Sequence, residues 1–73
     1  MPPAPGHFDA EVAELVRVLR GYGVLTEMRL AELVHAASWP EHTFKTALRA
    51  GVDGGRVKRL GGGLYEVGEA EIG

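Results

Sequence analysis

The chain contains no cysteine. Neither a disulfide framework nor a thiolate metal site can hold it together, so hydrophobic packing must, as is normal in a reducing cytosol. It also has no apolar run approaching the roughly 18 residues of a membrane span. The uncharged, proline-rich start Met1-Pro2-Pro3-Ala4-Pro5-Gly6 lacks the basic and apolar regions of a signal peptide. These absences predict a soluble, cytoplasmic protein with no membrane partner. Aromatic residues are few, with one Trp, two Tyr and two Phe among 73 residues. A chain this short buries only about 60% of the surface it exposes when unfolded, so the expectation is a single small core. His7, His35 and His42 show no metal-ligand spacing. Gly54-Gly55 and Gly61-Gly62-Gly63 match neither nucleotide-binding glycine pattern. No Ser-His-acid set or paired carboxylates suggest chemistry, so the expectation is a non-enzyme with no catalytic residue, no metal and no cofactor.

The charge that is present is unevenly placed. The net charge is −2, yet from Lys45 to Arg59 there are five bases (Lys45, Arg49, Arg56, Lys58, Arg59) against one acid, Asp53. Before residue 45 acids outnumber bases, and after residue 59 there are only the acids Glu66, Glu69 and Glu71. For steering a charged partner this sign asymmetry matters more than the total.

Hydrophobic spacing gives the elements. Residues 1–7 read as a flexible leader. Asp9 is placed to cap a helix over residues 10–20, in which Val12, Leu15, Val16 and Leu19 follow the helical repeat and Gly21 supplies the stop. Val24-Leu25 is too short for an independent strand but can add a third edge to a later hairpin. Thr26 is placed to cap a second helix over residues 27–36, with Leu30, Leu33 and Val34 inward. Ser38-Trp39-Pro40-Glu41 has the spacing of a capping box and predicts a third helix over residues 39–50, with Phe44, Ala47 and Leu48 on its apolar stripe and Gly51 at its end. Trp39 is expected to be buried between the second and third helices. Two β-prone runs, Arg56 to Leu60 and Leu64 to Val67, are joined by the three glycines and form a hairpin whose Val57, Leu60, Tyr65 and Val67 seal the core. Residues 68–73 read as an acidic tail, too short for a dimerisation helix.

The expected fold class is therefore mainly α with a small β-hairpin. Leu25-Thr26 leading into Leu30-Ala31-Glu32-Leu33, then Thr43-Phe44-Lys45-Thr46-Ala47-Leu48, then Gly55-Arg56-Val57 with Gly63-Leu64-Tyr65-Glu66-Val67 together resemble the winged helix-turn-helix superfamily over residues 8–67. That resemblance implies a three-helix domain with a recognition helix in the major groove of double-stranded DNA and a wing, residues 56–67, on the backbone. It names no target, effector or pathway.

His42, Thr43, Lys45, Thr46 and Arg49 on the third helix, with Arg56, Lys58 and Arg59 on the hairpin, are residue types that donate to phosphates and base edges. They are the candidate DNA-binding residues, in a transcriptional regulator or a mobile-element or architectural factor. The bland alternatives are a solvated helix face and edge strands charged against aggregation. A second function class also fits: a winged-helix protein-interaction domain without DNA binding, favoured by the net acidity. A single module buries only about 600 to 1,000 Å2 of protein surface on DNA, so specific binding implies a homodimer or a larger protein partner.

Overall fold

Val12, Leu15, Val16 and Leu19 recur at the helical repeat. In the computed structural model of the chain, which describes residues 8–72, they lie on the inner face of a helix, α1, spanning Asp9–Tyr22. The leader expected at residues 1–7 falls outside the described residues. The remaining elements are β1 (Leu25–Thr26), α2 (Glu27–Leu33), a 3-10 turn (Ala36–Ser38), α3 (Thr43–Asp53), β2 (Val57–Arg59), a second 3-10 turn (Gly61–Gly63), β3 (Leu64–Val67) and a last helical turn, α4 (Glu69–Ile72). The protein is mainly helical with one small antiparallel sheet of order β1-β3-β2. Among the described residues no helix is long and apolar enough to cross a membrane.

Alpha-1 is the spine of the core. It contributes Val12, Leu15, Val16, Val18 and Leu19, against which pack Leu30 and Val34, Ala47 and Leu48, and Val57 and Tyr65 from the sheet. Trp39 and Phe44 lean on this core half-buried, their ring centroids 6.3 Å apart. The sheet closes the assembly in the register Leu25↔Tyr65 and Val57↔Val67. The short third strand that Val24-Leu25 suggested exists, one residue later, and makes β3 the central strand. Leu60, expected in the seal, is only half-buried and lies outside the core.

Several helix ends differ from the sequence expectation. Alpha-1 runs past Gly21 to Tyr22, and Gly23, at φ 90°, makes the stop by donating its N–H to the Leu19 carbonyl at 2.7 Å. Asp9 makes no cap, because the helix begins one residue earlier than expected with Phe8 at the N-cap position, and the Asp9 carboxylate lies 3.4 Å from Arg56 Nη1. Thr26 caps α2 as expected, its Oγ1 accepting from the Arg29 N–H at 3.1 Å, but the helix stops at Leu33, and His35 turns the chain at φ 57°. The capping box of Ser38 and Glu41 does not form. Trp39 stands immediately before Pro40, whose ring disfavours helical backbone in its predecessor, and Trp39 is extended at φ −83°, ψ 156°. Ser38 accordingly donates its hydroxyl to the His35 carbonyl at 2.8 Å, and α3 begins only at Thr43 after His42 at φ 68°.

Alpha-3 also continues through Gly51 to Asp53, because Gly51 is a contact point and not a terminator. A Cβ there would lie 2.9 Å from Val57 Cγ2 and 3.3 Å from Val12 Cγ1. The missing side chain lets α3 seat on β2 and α1 together. Glycine costs about 1 kcal/mol of helix propensity relative to alanine, whereas forcing a methyl into a filled core costs about 1 to 3 kcal/mol. Gly51→Ala is therefore expected to lower the urea midpoint despite the gain in propensity. Gly21→Ala, in a helix with open space beyond it, should raise stability by about 0.5–1 kcal/mol, so the two midpoints move in opposite directions.

Candidate nucleic-acid interface

Because Phe44, Ala47, Leu48 and Gly51 face inward, the helical repeat turns Lys45, Thr46, Arg49 and Ala50 toward solvent. Along β2 the period of two puts Val57 into the core, Lys58 on the outer face and Arg59 back on the inner face, just beyond the end of the packed core. Since α3 seats on β2, Arg59 meets the flank of the helix. Lys45, Arg49 and Arg59 thus line one groove of about 450 Å3 between helix and sheet. Its walls also carry Glu27, Asp53 and Tyr65, and the tyrosine hydroxyl donates to Glu27 Oε1 at 3.5 Å.

The other candidates are more scattered. Thr46 is exposed on the same outward stripe as Lys45 and Arg49, whereas Thr43 opens α3 half-buried. His42 stands exposed ahead of the helix, its Nε2 3.5 Å from Glu41 Oε1. Lys58 lies on the opposite face of the sheet from Arg59, in register with Glu66 across the strand pair. Ion pairing divides the eight Lys and Arg residues evenly. Arg17, Arg20, Arg29 and Arg56 each lie within 4 Å of a carboxylate, while among the described residues Lys45, Arg49, Lys58 and Arg59 have no such partner. All four unpaired cations come from the segment whose charge is segregated in the sequence. Among the described residues no three His, Asp or Glu side chains gather as a metal-binding group.

Arg56 departs from its four neighbours in sequence. Its Nε donates to Glu71 Oε2 at 2.7 Å and its Nη1 reaches Asp9 Oδ1 at 3.4 Å. Glu71 also accepts from Arg20 Nη2, at 3.2 Å on Oε1 and 3.0 Å on its own carbonyl. The residues expected as a tail are therefore fastened to the domain, and the junction is a glycine. A Cβ on Gly68 would fall 2.1 Å from the Gly55 carbonyl oxygen, and only without one can Gly68 N–H donate to Arg56 O at 2.8 Å and Ala70 N–H to Gly55 O at 3.0 Å. Sequence inspection missed Glu71 because its partners Arg20 and Arg56 are 51 and 15 residues away. The one local hint is Gly68, between the last strand and the acids.

The Arg56 hydrogen bond, helped by the charges of Arg56 and Arg20, lowers the Glu71 pKa from the ordinary glutamate value although partial burial opposes it. A carboxyl depressed on folding contributes stability that is complete above its unfolded pKa and is lost as pH falls through the folded one. At pH 7 the wild-type chain should therefore be more stable to urea than Glu71→Gln, and the gap should close on acidification below about pH 4.3. A gap that stays constant with pH would place the effect elsewhere than in the ionised carboxylate. Comparison with protein-family models, curated proteins and solved structures found no match to this chain.

Proposed function

We propose that this chain is a winged helix-turn-helix domain that binds double-stranded DNA, with α3 in the major groove and the β2-β3 hairpin on the backbone, and that it acts as a regulatory or architectural binding module, not as an enzyme. The observation that carries this reading is the sorting of cations. Among the described residues every arginine outside the Lys45–Arg59 segment is matched by a carboxylate, and four of the five bases inside it are not. Unmatched cations on a protein of net charge −2 have a use if a polyanion supplies the missing charge. The element order, helix, short strand, two helices and hairpin, supports the scaffold assignment.

Lys45 and Arg49 stand one helical turn apart and face outward, so both can reach a groove edge or phosphate from one helix. Arg59 approaches from the hairpin side of the same groove, and Thr46 adds a neutral donor on the stripe. Glu27 accepts from the Tyr65 hydroxyl within the groove and keeps its charge, so the groove holds three cations against two carboxylates, Glu27 and Asp53.

A second reading, docking on protein, draws on a different surface. A groove of about 490 Å3, sharing no residue with the basic one, is lined by Val24, Val67 and Ile72 with Arg20, Glu66 and Glu71, and Val24 and Ile72 are exposed.

The two separate in a fluorescence anisotropy titration against a mixed-sequence duplex at several salt concentrations. Three neutralised phosphates give a logarithmic salt slope of about −2.7, and a fourth, through Lys58, about −3.6. Lys45→Ala/Arg49→Ala should flatten the slope by about 1.8 with the circular dichroism spectrum unchanged. Flat anisotropy for the wild-type chain at 50 mM salt ends the DNA reading and leaves the protein-docking one.

A further inference from the structure

We propose that the C-terminal turn serves as an internal phosphate mimic: the Glu71 carboxylate occupies the guanidinium of Arg56 and keeps that arginine out of the DNA interface until the turn is displaced. This rests on the DNA-binding reading and adds to it a regulatory contact within the chain. Arg56 belongs to the cationic segment by position, between the end of α3 and the start of β2, yet among the described residues it alone of the five is paired. The contacts on it resemble those an anion makes with arginine, one carboxylate oxygen on Nε and another acid on Nη1. Its side chain borders a hollow formed by Phe8, Asp9, Val12, Ala50 and Gly54. Ala50 adjoins Arg49 on the outward stripe of α3, so a released Arg56 would flank that stripe on the side away from Arg59.

The turn that holds it is built to be weak. Alpha-4 is four residues long and contains no buried residue, and Ile72 is 73% exposed. Two backbone hydrogen bonds, Gly68 N–H to Arg56 O and Ala70 N–H to Gly55 O, tie it to the segment before β2, and the remaining hold comes from Arg56 and Arg20 on the Glu71 carboxylate and from Arg20 on the Glu71 carbonyl. Elements without buried apolar contacts open at the low end of a protein's local stabilities. A phosphate has the same charge sign as Glu71 and competes with it for Arg56, so as long as the carboxylate stays on the guanidinium a bound duplex leaves that arginine untouched.

The test uses the full chain and the same duplex, titrated with salt. Glu71→Gln should steepen the slope by about 0.9, the increment of one further phosphate, and tighten binding at 50 mM salt. Glu69→Gln, which removes an exposed acid of the same turn that makes no ion pair among the described residues, gives the size of the general charge effect and should leave the slope unchanged. Arg56→Ala should leave the wild-type salt slope as it is, and combined with Glu71→Gln should cancel the gain in slope. Glu71→Ala gives the same contrast should the glutamine retain Arg56 through its amide oxygen. Equal effects of Glu69→Gln and Glu71→Gln, a gain in slope that survives Arg56→Ala, or a shallower slope for Arg56→Ala than for the wild-type chain each overturn the proposal. If the wild-type chain binds and none of these contrasts appears, only this proposal fails. If neither it nor Glu71→Gln binds, the DNA reading fails as well. Binding by the Glu71 variants alone supports the mimic in its strongest form.

Discussion

The contact on which the arrangement depends is the seating of α3 on β2 through Gly51. With hydrogen in place of a side chain, the helix backbone approaches Val57 and Val12 closely enough that one further methyl would collide with Val57 and crowd Val12. That approach packs Ala47 and Leu48 into the core and fixes which side of α3 remains outside. Cations ten and more residues apart then share a groove without any direct interaction that would draw them together. Like charges repel, so their juxtaposition is imposed by hydrophobic packing elsewhere. The apolar core holds the electrostatic surface in place against its own repulsion.

Acids are arranged to complement this. Where a carboxylate serves the fold it is placed on an arginine of α1 or α2, or on Arg56, and Glu71 joins the end of α1 to the segment before β2 by touching Arg20 and Arg56 together. The pairs of Arg17 and Arg29 are exposed and contribute little individually. Glu71 is half-buried against two arginines, and besides its contribution to stability it fixes where the Arg56 guanidinium sits. The exposed end of the last turn and the groove beneath Ile72 belong to the same corner of the molecule.

How much of this could be read in the sequence depends on the range of the interaction. Alpha-1, the Thr26 cap and the hairpin around the glycines were legible because each rests on residues a few positions apart. The start of α3 was misjudged where two local signals compete. The Ser38 to Glu41 spacing invites a cap, but Trp39 before Pro40 disfavours helical backbone, and the steric restriction prevails over a hydrogen bond of modest worth. Gly51 looked like a stop because glycine usually is one, and only the position of Val57, known after folding, gives its actual reason. In the candidate interface the segregation of Lys45, Arg49 and Arg59 along the chain is legible, but their sharing of one groove rests on the seating of α3 on β2, and Lys58 from the same segment faces the other way. The pairing of Arg56 is not legible, since it requires Glu71 to fold back against a strand that no local pattern connects to it.

Thr26 belongs to two structures at once: its backbone lies in the sheet opposite Leu64, and its hydroxyl closes the first turn of α2. A slip of β1 by one residue along β3 would therefore also withdraw the cap, and unwinding of the first turn of α2 would disturb the strand. Such a shared residue makes partial melting uneconomical for either element, so sheet and helix should protect their amide protons to a similar degree in hydrogen exchange and gain or lose order as one cooperative unit.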